Sequence, residues 1–356
     1  MSDILFPGND FSTFEKQDKV LVGVSGGVDS AVCVHILREQ GFAVTGAVIR
    51  FSPAHDKAVE EARKAAAALG IPLEVIEAGE EFERQVVEPF CQAYCAGRTP
   101  NPCVLCNPTV KFKLLAARAD ELGIPFIATG HYARVEQTAA GQYHIAQPAS
   151  VARDQSYMLY RLGQDILARL CLPLGEFEKE DIRQIARDLG LPCADSPDSM
   201  EICFIPDGDY AAFIRGRGLA DKAGRFIAPD GQDLGPHKGV MHYTLGQRKG
   251  LGLALGKPAF VKAIRENGDV ELGWAGEEFF SGMTLRDVCC AAGGELPAGD
   301  YLVKIRSASK PVPCHYDGKG AVRFEEPARA PAPGQSAVFY GGGLVLGGGF
   351  IDQILE

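Results

Sequence analysis

Short apolar runs alternate with helical patterns along the first half of the chain. The strand candidates are Val20–Val24, Ala43–Phe51, Leu73–Glu77 and Phe126–Thr129. The helix candidates are Ala31–Gln40, Lys57–Leu69, Glu81–Tyr94, Lys111–Leu122 and Lys179–Leu189. Three of these helical patterns run into a glycine followed by an apolar residue and a proline, which is a helix stop. This alternation predicts a doubly wound, Rossmann-like α/β domain that binds its ligand at the carboxyl ends of the strands.

The pattern changes after about Arg217, where glycine becomes frequent and helical periodicity fades. Short alternating runs separated by turn signals such as Asn267-Gly268 take over. The strand candidates here are Phe260–Ile264, Val270–Leu272, Tyr301–Ile305, Ala321–Phe324 and Ser336–Tyr340. They predict two small, mainly-β domains after the α/β domain, the last of them barrel-like. We place the three domains at residues 1–212, 213–278 and 279–356.

Composition narrows the class of protein. The 356 residues are 46% hydrophobic and 23% charged, which is typical of a globular protein. No apolar run is long enough to span a membrane, and the N-terminal residues lack the basic start and apolar core of a secretory signal. We therefore expect a cytoplasmic protein. Its eleven cysteines, an odd number spread over a long chain, fit reduced thiols better than a disulfide framework.

Charge is distributed unevenly along the chain. The formal net charge of -10 by itself disfavours a nucleic-acid partner. Between Phe213 and Lys262, however, the chain contains nine basic and three acidic residues, so that this segment carries a net charge of +6. The basic residues are Arg215, Arg217, Lys222, Arg225, Lys238, Arg248, Lys249, Lys257 and Lys262. A basic module on an acidic body is compatible with binding of a phosphate backbone, and also with an ordinary solvated surface.

The turn between the first predicted strand and helix is the strongest sign of chemistry. It reads Val24-Ser25-Gly26-Gly27-Val28-Asp29-Ser30. Small residues let backbone N–H groups approach a phosphate, and the helix N-terminus adds partial positive charge. The turn is neither a Walker loop nor a Gly-x-Gly-x-x-Gly dinucleotide turn. It resembles the PP-loop of ATP pyrophosphatases, which split ATP between its α and β phosphates, and we interpret Asp29 as a ligand on the magnesium side.

Two cysteine-bearing segments indicate a second kind of chemistry. The first reads Gly97-Arg-Thr-Pro-Asn-Pro-Cys103-Val-Leu-Cys106-Asn107, and its two prolines and its asparagine predict a loop just ahead of the helix predicted from Lys111. Because a helix N-terminus stabilises a thiolate, Cys106 is predicted to be a nucleophile. The second segment places Cys203 in an apolar, strand-like run, where a lone cysteine is most often a core residue.

Together with the phosphate loop, these segments resemble the bacterial tRNA-specific 2-thiouridylase family. The resemblance runs along nearly the whole chain and includes Ala128-Thr-Gly-His131-Tyr132-Ala133, Arg153-Asp-Gln155-Ser-Tyr157, Tyr243-Thr-Leu-Gly-Gln-Arg-Lys-Gly-Leu-Gly252 and Gly334-Gln335-Ser-Ala-Val-Phe-Tyr340. It implies ATP-dependent 2-thiolation of the wobble uridine in tRNAs for lysine, glutamate and glutamine. The implied cofactors are ATP and Mg²⁺. The implied partners are tRNA and a cysteine desulfurase or sulfur-relay protein as persulfide donor, and we expect a monomer.

The resemblance also implies roles for individual residues. Cys106 would be the nucleophile and Cys203 would carry the persulfide, and the two would form a transient disulfide. ATP would be held by Gly23, Val24, Ser25, Gly26, Gly27, Val28, Asp29, Ser30, Ile49 and Gly130. The tRNA and its target base would be contacted by Asn101, Pro102, Cys103, His131, Arg153, Asp154, Gln155, Arg306, Ser307 and Gln335. Since a disulfide requires Cα atoms within roughly 7 Å, the two distant cysteines are predicted to meet at one site.

Several alternatives stay open. Cys103, Cys106 and Cys203 offer the thiolates for an iron–sulfur cluster with one open iron, which would bind the sulfur as hydrosulfide. Cys91 and Cys95 could complete a zinc site with Cys103 and Cys106, although their i, i+4 spacing favours packing on a helix face. A different PP-loop enzyme that adenylates a small molecule would leave the cysteine pair without a purpose. A tRNA-binding protein without catalysis would not need the intact phosphate loop.

Overall fold

Helices follow strands in the first half of the chain, and strands dominate the second half. The computed structural model describes residues 18–196 and 202–355. Its helices are α1 (Val28–Glu39), α2 (Asp56–Leu69), α3 (Gly79–Phe82), α4 (Glu88–Cys95), α5 (Pro102–Cys106), α6 (Phe112–Glu121), α7 (Gln164–Leu167), α8 (Lys179–Asp188) and α9 (Tyr210–Gly216). Two π-helical turns, Glu83–Val87 and Asn107–Lys111, join α3 to α4 and α5 to α6. Within these residues, no helix has both the length and the apolar character needed to cross a membrane.

The strands form three sheets in the described part of the chain. They are β1 (Lys19–Gly23), β2 (Ala43–Arg50), β3 (Leu73–Glu77), β4 (Phe126–Thr129), β5 (Arg134–Gln137), β6 (Tyr143–Ala146), β7 (Leu170–Cys171), β8 (Arg225–Ile227), β9 (Asp233–Pro236), β10 (Ala259–Ile264), β11 (Val270–Trp274), β12 (Phe279–Cys290), β13 (Gly299–Lys304), β14 (Val312–Tyr316), β15 (Ala321–Arg329), β16 (Ser336–Gly341) and β17 (Leu344–Leu355). The first sheet is parallel, in the order β3-β2-β1-β4-β7. Because β1 lies between β2 and β4, the strand order reverses beside it, and the predicted doubly wound domain is confirmed.

The two mainly-β domains are also confirmed. One sheet has the order β10-β11-β8-β9. In the other sheet, neighbouring strands pair in the spatial order β12-β15-β14-β13-β16-β17. A further pairing of β12 with β17 closes this sheet into a barrel. The hairpin β5–β6 of the first domain adds to this barrel, since Ala146 pairs with Leu344 of β17. The domain boundaries stay predictions.

One apolar cluster joins the α/β domain to the barrel. On the first side it contains Leu21 of β1 and Phe112 and Leu115 of α6, and on the second side Val338 and Tyr340 of β16. Burial of apolar surface contributes roughly 25 cal/mol per Å², so a cluster shared by two domains fixes their relative position. The loops that come from these two domains are thereby held in register.

A buried ion pair reinforces the same interface. The Lys304 ammonium of β13 lies 3.1 Å from the Asp154 carboxylate, and the two side chains are 6% and 4% exposed. Gln147 and Ser156 donate further hydrogen bonds to Asp154. Burial acts to raise the pKa of Asp154, but these hydrogen bonds and the charge of Lys304 outweigh burial and hold the pKa below its ordinary value. The stabilising contribution of Asp154 is therefore complete at neutral pH and is lost only as the pH falls below about 3.9 and through the folded-state pKa.

Replacing Lys304 with methionine is expected to lower the free energy of unfolding by about 3–5 kcal/mol, because the Asp154 carboxylate then stays buried without its cation. The double variant Asp154→Asn/Lys304→Met should regain most of this loss. Urea denaturation followed by circular dichroism measures both. The control Arg187→Met breaks an exposed pair with Asp195 and should cost less than about 1 kcal/mol. Equal losses in Lys304→Met and Arg187→Met would contradict the prediction.

Candidate active site

The predicted phosphate loop lies at the carboxyl edge of the parallel sheet. Gly23 ends β1 and Val28 begins α1, with Val24 buried between them. Gly27 occupies the N-cap position, and no described side chain caps the helix. The first backbone N–H groups of α1 are thus available to an anion.

Two serines and a glycine give this loop its shape. The Ser25 N–H donates to Ser30 Oγ at 3.1 Å, and Ser30 Oγ donates to the Gly27 carbonyl at 3.0 Å. Gly26 has φ +82°, and a Cβ there would lie 2.6 Å from Cβ of Glu61 on α2. Only glycine fits this position without a shift of the loop or of α2.

The other two residues predicted to bind ATP lie at the same edge. Gly130 follows β4, and a Cβ there would lie 2.9 Å from the Asp29 carbonyl carbon and 3.0 Å from the Ser30 nitrogen. Ile49 is near the end of β2, partly buried. The structure therefore brings the predicted nucleotide residues together, as expected for strands whose carboxyl ends meet at one edge.

Asp29 makes contacts that the sequence did not indicate. The Lys179 ammonium lies 2.7 and 2.8 Å from its two carboxylate oxygens. The Tyr132 hydroxyl donates to the same carboxylate at 2.8 Å. The role of Asp29 on the magnesium side stays a prediction, and a cation that binds there must share the carboxylate with Lys179.

The cysteine loop is already helical where the sequence predicts a loop. The helix begins at Pro102, nine residues before the predicted start at Lys111, and the Asn101 side chain caps it by accepting the Cys103 N–H at 3.2 Å. Cys106 ends α5 and directly precedes the π turn Asn107–Lys111. Turns of this kind are frequent at functional sites. The prediction was wrong because two prolines and an asparagine serve as helix start signals as well as loop formers.

The expectation of a ready thiolate at Cys106 is not met. Burial raises the pKa of Cys106 to about 12, although the charge and the backbone N–H of Lys111 act in the opposite direction. Cys106 is one turn inside the helix and 7% exposed, so desolvation outweighs the helix N-terminus. In this conformation the thiol is protonated at neutral pH.

Cys203 joins the same neighbourhood from 97 residues farther along the chain. It lies in a turn, not the predicted strand-like run, and its neighbour Phe204 packs edge-on against Phe82 and Phe90. The Cys203 residue is exposed, but nearby protein desolvates its sulfur and raises its pKa to about 11, with Cys103 adding to the rise.

Mutual electrostatic effects relate the three thiols. The charges of Cys103 and Lys111 affect the pKa of both Cys106 and Cys203. Cys203 also affects the pKa of Cys106. All three are free cysteines, with Cys103 exposed. The two catalytic candidates therefore meet within electrostatic range, while the Cα distance for a disulfide stays a prediction.

His131 is neutral at physiological pH. Burial, with the charge of Lys111, lowers its pKa to about 3. Its Nδ1 lies 2.7 Å from Thr129 Oγ1, and its ring lies 5.8 Å from that of Phe112. It can offer a hydrogen bond to a base but no positive charge to a phosphate.

The segment Arg153–Gln155 is held by hydrogen bonds, beginning with the Arg153 N–H, which donates to the Ser150 carbonyl at 3.1 Å. Asp154 is engaged with Lys304, as described above. The Gln155 Oε1 accepts the Tyr132 N–H at 2.8 Å, and the Gln155 N–H donates to the Tyr132 carbonyl at 2.9 Å. Arg153 is partly exposed. The tRNA contacts of this segment stay predictions, but the Asp154 and Gln155 side chains already serve to position the loop.

The barrel residues predicted to approach tRNA also have structural partners. Gln335 Nε2 donates to the Thr99 carbonyl at 2.8 Å, which ties the barrel to the cysteine loop. The Arg306 guanidinium donates to the carbonyls of Leu245 and Ala330 at 2.9 and 3.1 Å, which ties the central domain to the barrel. Ser307, next to it, is partly exposed.

A charged cleft of about 880 Å³ opens beside the cysteine loop, where the three domains meet. Its charged lining residues are Arg98, Lys222, Lys262, Arg265, Glu266, Glu271 and Asp352. Arg98 pairs with Asp352 at 3.0 Å. The basic segment of the central domain therefore faces the cysteine loop through Lys222 and Lys262. Arg98 was not among the predicted site residues, although it lies inside the cysteine motif Gly97–Asn107.

Within residues 18–196 and 202–355, no group of three or more His, Cys, Asp or Glu side chains is arranged to hold a metal ion. This includes the cysteines considered for zinc and for an iron–sulfur cluster, since all five lie in the described ranges.

Comparison with known proteins identifies the domains and the family of the chain. Residues 18–207 match the family described as "tRNA methyl transferase HUP domain", residues 212–270 its PRC-barrel domain, and residues 289–351 an "Aminomethyltransferase beta-barrel domain". The "tRNA-specific 2-thiouridylase MnmA" of Carboxydothermus hydrogenoformans is 44% identical over 95% of this chain and 98% of its own length. The protein of the same name from Lachnoclostridium phytofermentans is 42% identical over 94% and 99%.

Among solved structures, NMN synthetase from Francisella tularensis matches with a TM-score of 0.34 and 17% identity over 51% of this chain and 67% of that chain, which is below the level of a shared overall structure. By contrast, the two 2-thiouridylase sequences match at 44% and 42% identity over nearly their whole length. On that basis, the chain belongs to the tRNA-specific 2-thiouridylase family.

Proposed function

We propose that this protein transfers sulfur to C2 of the wobble uridine in tRNAs for lysine, glutamate and glutamine, with ATP as the activating substrate. The proposal is carried by an apolar cluster that connects the nucleotide edge of the sheet with Cys106 and with the neighbour of Cys203. Ile49, at the nucleotide edge, packs into the same apolar cluster as Cys106 and Phe204, the neighbour of Cys203. A PP-loop enzyme for a small molecule would have no use for these thiols.

The first step activates the uridine. Its O2 atom attacks the α-phosphorus of ATP, pyrophosphate leaves, and C2 then bears AMP, which is a far better leaving group than the original oxygen. The N–H groups at the start of α1 and the hydroxyls of Ser25 and Ser30 would hold the phosphates. Asp29 fits a role toward Mg²⁺, because Mg²⁺ prefers oxygen ligands and a third of this side chain is exposed.

The second step replaces oxygen by sulfur. The terminal sulfur of a persulfide on Cys203 attacks C2, and AMP leaves with the original oxygen. Cys106 then attacks the Cys203 sulfur, which breaks the S–S bond, releases the 2-thiouridine and leaves a Cys106–Cys203 disulfide. Alternatively, Cys106 frees hydrosulfide first, and hydrosulfide attacks C2. Either order needs a two-electron reductant to restore both thiols.

Both thiols need help to ionise. The pKa values of about 12 for Cys106 and about 11 for Cys203 leave each of them protonated at neutral pH. The positive charge of Lys111 acts to lower the pKa of both thiols. We infer that the thiolate of Cys106 forms beside Lys111 and only when substrates have assembled, which keeps it unreactive in the resting enzyme.

A second candidate is the same reaction through an iron–sulfur cluster. Cys103, Cys106 and Cys203 influence one another electrostatically, and three thiolates are the ligands of a cluster with one open iron, although these side chains would have to move to hold a metal. Such a cluster would supply hydrosulfide at that iron, and Cys203 would then never carry a persulfide.

The partners follow from the chemistry. The exposed position of Cys203 suits delivery of sulfur from a cysteine desulfurase or a relay protein. The cleft beside the cysteine loop, with Lys222 and Lys262 in its wall, suits a phosphate backbone. We further propose that the protein acts as a monomer on one tRNA, in the cytoplasm.

An anaerobic thiolation assay tests the proposal. Metal-free protein receives ATP, Mg²⁺, unmodified tRNA for glutamate, cysteine and a cysteine desulfurase, and the nucleosides are analysed by mass spectrometry. The persulfide route predicts 2-thiouridine without iron, its loss in Cys106→Ser and Cys203→Ser, and its persistence in Cys103→Ser. Cys290→Ser, a half-buried barrel cysteine, is the control and should retain activity. Product that needs iron–sulfur reconstitution and all three cysteines would favour the cluster, and no product under any condition would overturn the function.

Replacing Lys111 with methionine is expected to slow alkylation of Cys106 and Cys203 by iodoacetamide about three- to tenfold, because loss of the cation raises both thiol pKa values by roughly half a unit to one unit. Mass spectrometry of peptides after timed labelling at pH 9 measures each site. Lys113→Met is the matched control, since Lys113 is two residues away, exposed and directed to Glu81. Equal labelling rates in Lys111→Met and the unmodified protein would show that Lys111 does not act on these thiols.

A further inference from the structure

The phosphate loop contains a buried cation that its sequence motif lacks. Lys179 is 2% exposed, and its ammonium lies 2.7 and 2.8 Å from the two oxygens of Asp29. The ammonium also lies 5.8 Å from the centre of the Tyr132 ring. The two residues are 150 positions apart in sequence, so the fold alone brings this charge to the loop.

The position of Lys179 is unfavourable for a lysine with a merely structural role. It is the first residue of α8, where the helix dipole disfavours a positive charge. Burial of the ammonium adds a desolvation penalty, and replacing both members of a buried ion pair by apolar side chains of similar volume is often neutral or stabilising. The start of α8 is held firmly by a reciprocal capping box between Glu178 and Asp181. The positive charge of Lys179 is therefore held at this position despite the unfavourable helix dipole and the desolvation penalty.

An anion site that contains a carboxylate needs such a cation. Asp29 is the second residue of α1, next to the N–H groups that would face the phosphates. Without compensation, its negative charge would repel ATP at close range in a partly dry site. The Lys179 ammonium offsets this charge through its contacts of 2.7 and 2.8 Å with the two carboxylate oxygens, beside the start of α1.

We propose that Lys179 is a phosphate-binding residue of this nucleotide site: Asp29 holds its ammonium in the empty loop, and with ATP bound the ammonium neutralises the β- and γ-phosphates that leave as pyrophosphate. The inference rests on the proposed function, because it requires ATP in the loop. Lysine suits this task as a compact charge on a flexible stem. The Tyr132 hydroxyl, also bonded to Asp29, can keep the carboxylate in place when the ammonium turns to the phosphates.

Calorimetric titration with ATP, pyrophosphate and AMP tests the inference. Lys179→Met should lower the affinity for ATP and for pyrophosphate at least tenfold and change the affinity for AMP by no more than about twofold. The reason is that AMP lacks the phosphates that the ammonium would meet. Lys179→Arg should restore part of the loss. The control Arg187→Met removes an exposed cation from the same helix and should change none of the three affinities.

The double variant Asp29→Asn/Lys179→Met separates this role from simple neutralisation of Asp29. We expect it to regain the melting temperature lost in Lys179→Met but not the affinity for ATP. Recovery of ATP affinity would overturn the inference, as would equal weakening of ATP and AMP in Lys179→Met. Unmodified protein that binds ATP but does not thiolate tRNA would instead contradict the proposed function, independently of these variants.

Discussion

The apolar contact between the parallel sheet and the barrel is the constraint on which the site depends. Phe112 and Leu115, just past the cysteine loop, pack in one cluster with Val338 and Tyr340 of the barrel. The Tyr157 hydroxyl donates to the Ser336 carbonyl at 2.7 Å inside this contact. Loops from different domains can keep a common geometry only if the domains cannot slide, and a close-packed interface meets that condition.

Side-chain hydrogen bonds then position the loops relative to this apolar interface. Gln335 ties the barrel to the segment before the cysteines, Gln155 ties its own loop to Tyr132, and Tyr132 reaches Asp29 in the phosphate loop. A continuous series of hydrogen bonds thus runs from the loop expected to meet tRNA to the loop expected to hold ATP. Each of these bonds is short and partly buried, where leaving a partner unpaired is costly.

Low solvent access gives the site its chemical character. It raises the pKa of the Cys106 and Cys203 thiols and lowers that of His131, so that all three are neutral in the resting state. Lys179 stays buried because Asp29 faces it. In the proposed function, a site arranged in this way would protect an activated uridine from water and withhold a reactive thiolate until the substrates are present.

Much of the fold was accessible from periodicity, because buried parallel strands and their helices have distinct patterns. The strands at Leu73–Glu77 and Phe126–Thr129 were predicted with the observed bounds. Strand β17 was not predicted, and its Gly347-Gly-Gly349 gives no alternating pattern. At Gly348 a Cβ would lie 2.6 Å from the Ala337 carbonyl oxygen of β16 and 2.8 Å from the Tyr160 ring. Only the packed barrel explains glycine there, since the requirement comes from the neighbouring strand and from a ring distant in sequence.

The sequence by itself determined the local features: the strand–turn–helix of the phosphate loop, the cysteine motifs and the basic segment. These depend on residues close together in the chain. Only the tertiary structure decided the environment of each group. It buried Asp154 against Lys304, brought Lys179 to Asp29, and placed Cys106 one turn inside a helix where its thiol stays protonated. The physical reason is that desolvation and charge pairing depend on which distant side chains exclude water from a group.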